Sequence, residues 1–469
     1  MSPPPNKPPE QSSGRWTWWL VTGCATVILL GILLTALRQR MTLSANQSSA
    51  PLSANANERT AAGTSHLRQR RENDGPALSV QEMVAQKVVR FVQGRRETLA
   101  KLAKHLNLEV PTEFDQFFHV AEIGSWEDIQ KLFKTMNDRR QREAGSEAMA
   151  SLWPVVTETF GVLEQTHKWP AQQLLDYGQA VLGSLRPDMV YLGGTDAGRF
   201  IPTLLNDTSD GDRHIVLTQN AFADTSYLAY ARFLYADQLN PLTGEDSQQA
   251  FQAYLAEAQR RLQHDQQSPD EAPQLRRGEN IQVTDNRVQV SGQVAVMAIN
   301  ERLLNALIKK NPDVSFAMEE SFSLPSTYVN ATPLGPILEL RAADAQTALT
   351  SDLAAQSLDY FRATARTLAV DPETSANADL RTAYAQQATA QANLFASRNL
   401  PAEAEQGYRL ATELSPTTLG PVNQLAELLA RNGRMTEANQ LLDHFAAQNP
   451  SQQQQVQAER DYLATLRRH

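Results

Sequence analysis

Pro187-Asp188-Met189-Val190-Tyr191-Leu192-Gly193-Gly194-Thr195-Asp196-Ala197-Gly198-Arg199-Phe200 is the stretch from which the fold can be read. Met189 to Leu192 is an apolar run short enough for a buried strand, and Gly193-Gly194 ends it where the backbone must turn sharply. Thr195 or Asp196 then caps a helix that carries Phe200, Ile201, Leu204 and Leu205. Strand, glycine turn and capped helix open a parallel βαβ unit. The turn of such a unit lies at the carboxyl edge of the sheet, where open α/β folds bind ligands. The same grammar recurs at once. His214 to Thr218 reads as a second strand, Gln219-Asn220 as its exit loop, and Thr225 to Tyr235 as an aromatic-rich helix.

Further along, Asp313 to Ser323, Tyr328 and Pro336-Ile337-Leu338-Glu339-Leu340 supply the closing strands. Together these units resemble the soluble extracytoplasmic portion of bacterial multi-spanning membrane proteins of the class C glycosyltransferase type, over roughly residues 150 to 345. The resemblance implies a small α/β module with a partly parallel sheet. The many membrane spans that carry the catalytic site of such transferases are missing, so it implies the module and not transferase activity.

The chain of 469 residues is too long for one ordinary core. Its net charge of −9, without a basic stripe, speaks against binding nucleic acid through phosphates. The only cysteine, Cys24, excludes an intramolecular disulfide and a cysteine-based metal site. It lies in Trp16 to Leu37, an uncharged run, and about 20 apolar residues suffice for a helix to cross a bilayer. Trp16, Trp18 and Trp19 stand at one end as an interfacial belt, and Arg38 and Arg40 at the other. The alternative is a cleaved signal peptide, whose apolar core is usually shorter. The flanking arginines favour a cytoplasmic body, whereas the resemblance and the tether-like Thr42 to Ser65 favour an extracytoplasmic one, the reading taken here.

Ser79 and Glu82 form a capping box for a helix to about His105. The preceding Arg68-Gln69-Arg70-Arg71 reads as a solvated charge run rather than a lipid-docking site. A helical hairpin, Thr112 to Glu122 and Ser125 to Arg142, breaks at Gly124 and turns Phe114, Phe117, Phe118, Trp126, Ile129, Leu132 and Phe133 inward. Two helices follow, Leu152 to Gln165 and Pro170 to Leu185, the second with proline in its first turn. Asp246 opens a helix to about His264, Ile281 to Val290 forms a hairpin around Asp285-Asn286, and Val294 to Lys310 is amphipathic.

From about Ser375 the chain matches itself at 34 residues: Ala404 with Ala438, Pro416 with Pro450 and Asn399 with Gly433. That period resembles the tetratricopeptide repeat. Ala404, Tyr408 and Pro416 in one repeat, and Ala438, Leu442 and Pro450 in the next, take the positions that hold such helices together. Gln391 and Phe445 depart from the pattern, and the helix Gln452 to Leu466 serves as a cap.

No cofactor motif, metal-ligand spacing or nucleophile elbow occurs, and no catalytic constellation is complete. Glu319-Glu320 read as surface charges, because neighbours on a strand point to opposite faces. The ligand candidates are Asp196, Arg199 and Asn220 at the sheet rim, where a helix start and an arginine suit a sugar phosphate or nucleotide sugar. The competing reading makes Asp196 a helix cap.

The expected architecture is therefore mainly helical α/β. It comprises a Pro-rich tail (1–15), a membrane helix (16–37), a linker (38–78), a helical segment (79–145), the α/β module (146–345), a connecting helix (346–374) and a tetratricopeptide-like domain (375–469). The expected function is non-enzymatic: an anchored scaffold of the bacterial cell envelope whose repeats hold a protein partner. The alternative is a carbohydrate- or nucleotide-sugar-binding module for envelope glycan assembly.

Overall fold

A computed structural model describes residues 78–142, 146–284, 287–341 and 349–466. The expected membrane helix, its tail, the linker and the hairpin tip Asp285-Asn286 lie outside the described residues. Among the described residues no helix is long and apolar enough to cross a membrane.

Helix α1 (Val80–Leu106) starts at the expected capping box, in which Glu82 accepts from Ser79 N at 2.7 Å and Ser79 Oγ accepts from Glu82 N. Helices α2 (Thr112–Ile123) and α3 (Trp126–Arg142) form the hairpin broken at Gly124. Phe114, Phe117, Phe118, Ile129 and Phe133 are buried. Trp126 and Leu132 are only partly so, Trp126 lying flat against Phe160 and His167. Helices α4 (Glu147–Lys168) and α5 (Ala171–Leu182) lead to the sheet. Pro170 is the residue before α5 rather than part of its first turn, a place where its fixed φ and missing N–H cost nothing.

Next come β1 (Val190–Gly193), α6 (Asp196–Asp207), β2 (Ile215–Thr218), α7 (Thr225–Tyr235), α8 (Gly244–Gln267), the hairpin β3 (Asn280–Thr284) and β4 (Arg287–Ser291), and α9 (Gln293–Lys310). Strands β5 (Phe316–Glu319), β6 (Ala331–Leu334) and β7 (Ile337–Leu340) complete the main sheet. Its order is β2-β1-β5-β7-β6, with β1 parallel to both neighbours and β7 antiparallel to β5 and β6. Both faces are covered. Val190, Leu192, Ile215, Leu217, Phe316 and Met318 enter one apolar cluster, while Tyr191, Val216, Ala317 and Ile337 enter another. Burial on both faces is why the strands read as unbroken apolar runs, each large side chain contributing about 1.5–3 kcal/mol. Helix α8 opens at Gly244, two residues before the expected Asp246, because Thr243 caps it and Asp246 closes the capping box from the third position.

The last part is helical: α10 (Ser351–Val370), α11 (Pro372–Ala376), α12 (Ala378–Ser397), α13 (Pro401–Leu414), α14 (Leu419–Arg431), α15 (Met435–Gln448) and α16 (Gln453–Leu466). Helix boundaries return every 34 residues, from Pro401 to Met435, from Leu414 to Gln448 and from Leu419 to Gln453. The turns correspond too, since Asn399 (φ 58°) and Gly433 (φ 78°) are both left-handed. Ala404, Tyr408, Ala438 and Leu442 are buried, while Pro416 and Pro450 are exposed just past their helices. Phe445 is buried, and so is Gln391, whose Nε2 donates to Ile337 O of β7 at 2.8 Å. One apolar cluster runs from Phe117 through Leu192 to Phe395 and Leu463, so the first helices, the sheet and the last helices share a core.

Candidate functional site

The parallel turn after β1 aims the N–H groups of Gly194 and Thr195 at a common point, where a helix start favours an anion. The acceptor there is supplied by the chain itself, as the carboxyl group of Glu319. Glu319 ends β5 in register with Gly193. Its Oε2 accepts from Gly194 N (3.1 Å) and Thr195 N (2.8 Å), and its Oε1 accepts from Thr195 Oγ1 (2.7 Å), with Tyr177 Oη at 3.4 Å. Thr195 Oγ1 also accepts from Gly198 N at 2.9 Å, so this hydroxyl donates and accepts at once. The glycines make room for this arrangement. A Cβ on Gly194 would strike the Glu319 carbonyl, and one on Gly198 would strike the Glu319 carboxylate. Burial raises Glu319 above the ordinary carboxyl range, and the donors only partly offset it.

Glu320 points to the opposite face, as alternation requires, and is buried as well. It accepts from Leu324 N (2.9 Å) and from Tyr328 Oη (2.7 and 2.9 Å), and Tyr328 Oη lies 3.1 Å from Ser323 Oγ. Burial pushes it up to about 8 despite those hydrogen bonds and a further one from Asn393 on α12. The expectation of two surface charges is thus overturned. The loop after β5 folds back over Glu320 while the glycine turn closes over Glu319.

The residues expected at the rim are engaged internally. Asp196 Oδ1 pairs with Arg199 Nη2 at 2.5 Å, and the Arg199 guanidinium lies 4.3 Å over the Phe200 ring. Asn220 Nδ2 donates to Gly194 O at 2.8 Å and its Oδ1 accepts from Ser321 Oγ at 2.9 Å, which joins the exit loops of β1, β2 and β5. Thr195, and not Asp196, is the cap of α6. The carboxylate of Asp196 faces Arg199 instead, one position too late to reach back to the first N–H groups. Sequence reasoning missed Glu319, Glu320, Tyr177 and Gln219, the last wholly buried with its Nε2 unpartnered. One signal was present: the run Phe316-Ala317-Met318 leads straight into Glu319 at the edge where the glycine turn lies.

A second buried charge cluster pins α1 to the module. Arg95 Nε is 2.9 Å from Glu158 Oε2, Arg95 also pairs with Asp207, and Tyr230 Oη donates to Glu158 at 2.8 Å. Burial raises Glu158, with Arg95 opposing. Among the described residues no group of three or more His, Cys, Asp or Glu is placed to hold a metal. Comparison with protein-family models, curated proteins and solved structures gives no match to the chain.

Proposed function

We propose that the protein is a membrane-anchored interaction scaffold of the bacterial cell envelope, in which α12 to α16 are a tetratricopeptide-like pair with a capping helix that grips a protein partner. The observation that carries this reading is the 34-residue return of helix boundaries together with the matching left-handed residues Asn399 and Gly433. Gln391 supports it as well, because the departure from the repeat pattern docks the first repeat helix onto β7. Residues 16–37 are the anchor, which rests on their uncharged run, and the body is extracytoplasmic, which rests on the class C glycosyltransferase-type resemblance of the α/β module. The alternative, binding of a sugar phosphate or nucleotide sugar at Asp196, Arg199 and Asn220, is weakened by Glu319, which already occupies the helix start.

The test uses the tagged full-length chain, gently solubilised from membranes. Specific copurifying proteins should be present with the parent and lost with Ala438→Trp, which disrupts the repeats. An unchanged protein set in that variant overturns the reading, and recovery of the chain as a shortened soluble form overturns the anchor.

A further inference from the structure

The polar loop 268–279 between α8 and β3 is fixed at its end. Glu279 accepts from Arg276 N at 3.0 Å and is held by Arg261 and Tyr254, while Arg276 Nη2 reaches Glu257 at 3.0 Å. Gly278 then turns with φ 75°. Arg277, between these anchors, reaches the last helix, α16, instead. Its Nη1 lies 2.9 Å from Glu459 Oε2, and its guanidinium sits 4.3 Å over the Tyr462 ring.

The receiving side is built and the occupant is loose. Glu459 is 1% exposed, whereas the Arg277 side chain is 49% exposed. Glu459 Oε1 is buried without a hydrogen-bond partner, so the incumbent arginine uses one oxygen of a carboxylate that can accept a two-pronged fork. Glu427 on α14 stands close enough for its carboxyl to be raised by burial and by the charge of Glu459, with Arg431 and Arg277 opposing. Two carboxylates beside an aromatic face suit a planar, stacking cation better than an ammonium point charge.

Resting on the reading that the repeats grip a protein, we infer that Glu459, Tyr462 and Glu427 form a guanidinium-recognition site, held in this chain by Arg277 and taken over by an arginine in an extended segment of the partner. A partner arginine that engages both Glu459 oxygens satisfies the atom that Arg277 leaves unpaired. Arg277 is therefore an internal competitor, and its removal strengthens binding.

The test titrates the full-length chain in detergent with a labelled Gln-Leu-Arg-Arg-Gly-Glu peptide, copying residues 274–279, by fluorescence anisotropy. Arg277→Ala should bind this peptide about tenfold tighter than the parent. Changing the peptide's second arginine to lysine should weaken binding about fivefold or more, and Glu459→Gln added to Arg277→Ala should abolish it. Arg277→Lys, which keeps the charge, serves the same comparison if the alanine variant does not fold. Equal binding by parent and variant, equal binding of arginine and lysine peptides, or indifference to Glu459→Gln overturns the inference. Should Ala438→Trp lose the copurifying partner while the peptide result is negative, the repeat reading stands and the guanidinium site falls.

Discussion

The sheet rim and the far end of the C-terminal helices are both lined with buried carboxylates, yet they are satisfied in opposite ways. At the rim, Glu319 gathers two backbone N–H groups, a hydroxyl and a tyrosine, all from its own module. On the last helix, Glu459 meets one half-exposed arginine from a loop and keeps an oxygen unpaired. A buried polar group that is fully satisfied rigidifies, whereas one partly satisfied still has free energy to gain from another partner. The more familiar ligand-binding position, the glycine turn of a βαβ unit, is therefore the closed one in this molecule.

The largest expected effect attacks the closed side. Glu319→Ala leaves the N–H groups of Gly194 and Thr195 and the Thr195 hydroxyl without their acceptor in a buried place, at a cost of about 3 kcal/mol or more. Urea denaturation of the detergent-solubilised chain measures it. A midpoint equal to that of the parent would show that the turn does not depend on this carboxylate, and the contrast with Glu459 would dissolve.

Glu320 sharpens the comparison through pH. Its folded value of about 8 lies above its ordinary 4.5, so the fold favours the protonated form. The stability contributed by that preference is fully present below about 4.5 and is lost as pH rises toward about 8. Glu320→Gln keeps the shape without the proton to lose. It should be more stable than the parent at pH 8, by an amount on the order of a few kcal/mol, and indistinguishable near pH 4. Thermal melts of both proteins across that range provide the check, and parallel pH profiles would mean that Glu320 is not buried as described.

The two carboxylates also mark where sequence stops being legible. The strands expected at Met189 to Leu192 and at His214 to Thr218 are short-range patterns, and the structure contains them one residue later, as β1 from Val190 through Gly193 and β2 from Ile215. So are the Ser79 capping box and the break at Gly124. Glu319 and Glu320 were read as solvated because two adjacent charges at a strand end usually are. Their burial depends on donors more than 100 positions away in one case and on a loop folding back in the other. Gln391 is intermediate: the 34-residue alignment singles it out as anomalous, but only the docked sheet supplies Ile337 O as the reason. Long-range pairing of β1 with β5 is what periodicity leaves open.

On the open side, Ala438 is fully buried where α15 packs against α14. Ala438→Trp inserts an indole into that contact and should cost about 1–3 kcal/mol, concentrated in α14 to α16. Hydrogen exchange should show those helices losing protection ahead of β1 and β5. Uniform loss across the chain would instead make the last helices and the sheet one cooperative unit, as their shared apolar cluster permits.

The smallest expected effect is at Asp196, and it separates the cap from its neighbour. Thr195 caps α6 and binds Glu319, so Thr195→Ala removes two hydrogen bonds at one stroke and should cost about 1–2 kcal/mol. Asp196 contributes a partly exposed pair with Arg199 and a favourable charge in the first helical turn, each worth at most about 0.5–1 kcal/mol. Asp196→Asn preserves size and an acceptor for Arg199, so its melting temperature should match that of the parent within about 2 °C. The same variant decides the sugar-phosphate alternative, since a rim that holds such a ligand through Asp196 would show calorimetric binding by the parent and none by the asparagine variant. With Glu319 filling the helix start, the expected titration of a sugar-phosphate and nucleotide-sugar panel is flat for both proteins. A binding isotherm for the parent that vanishes in Asp196→Asn, at unchanged stability, would reopen the rim as a ligand site.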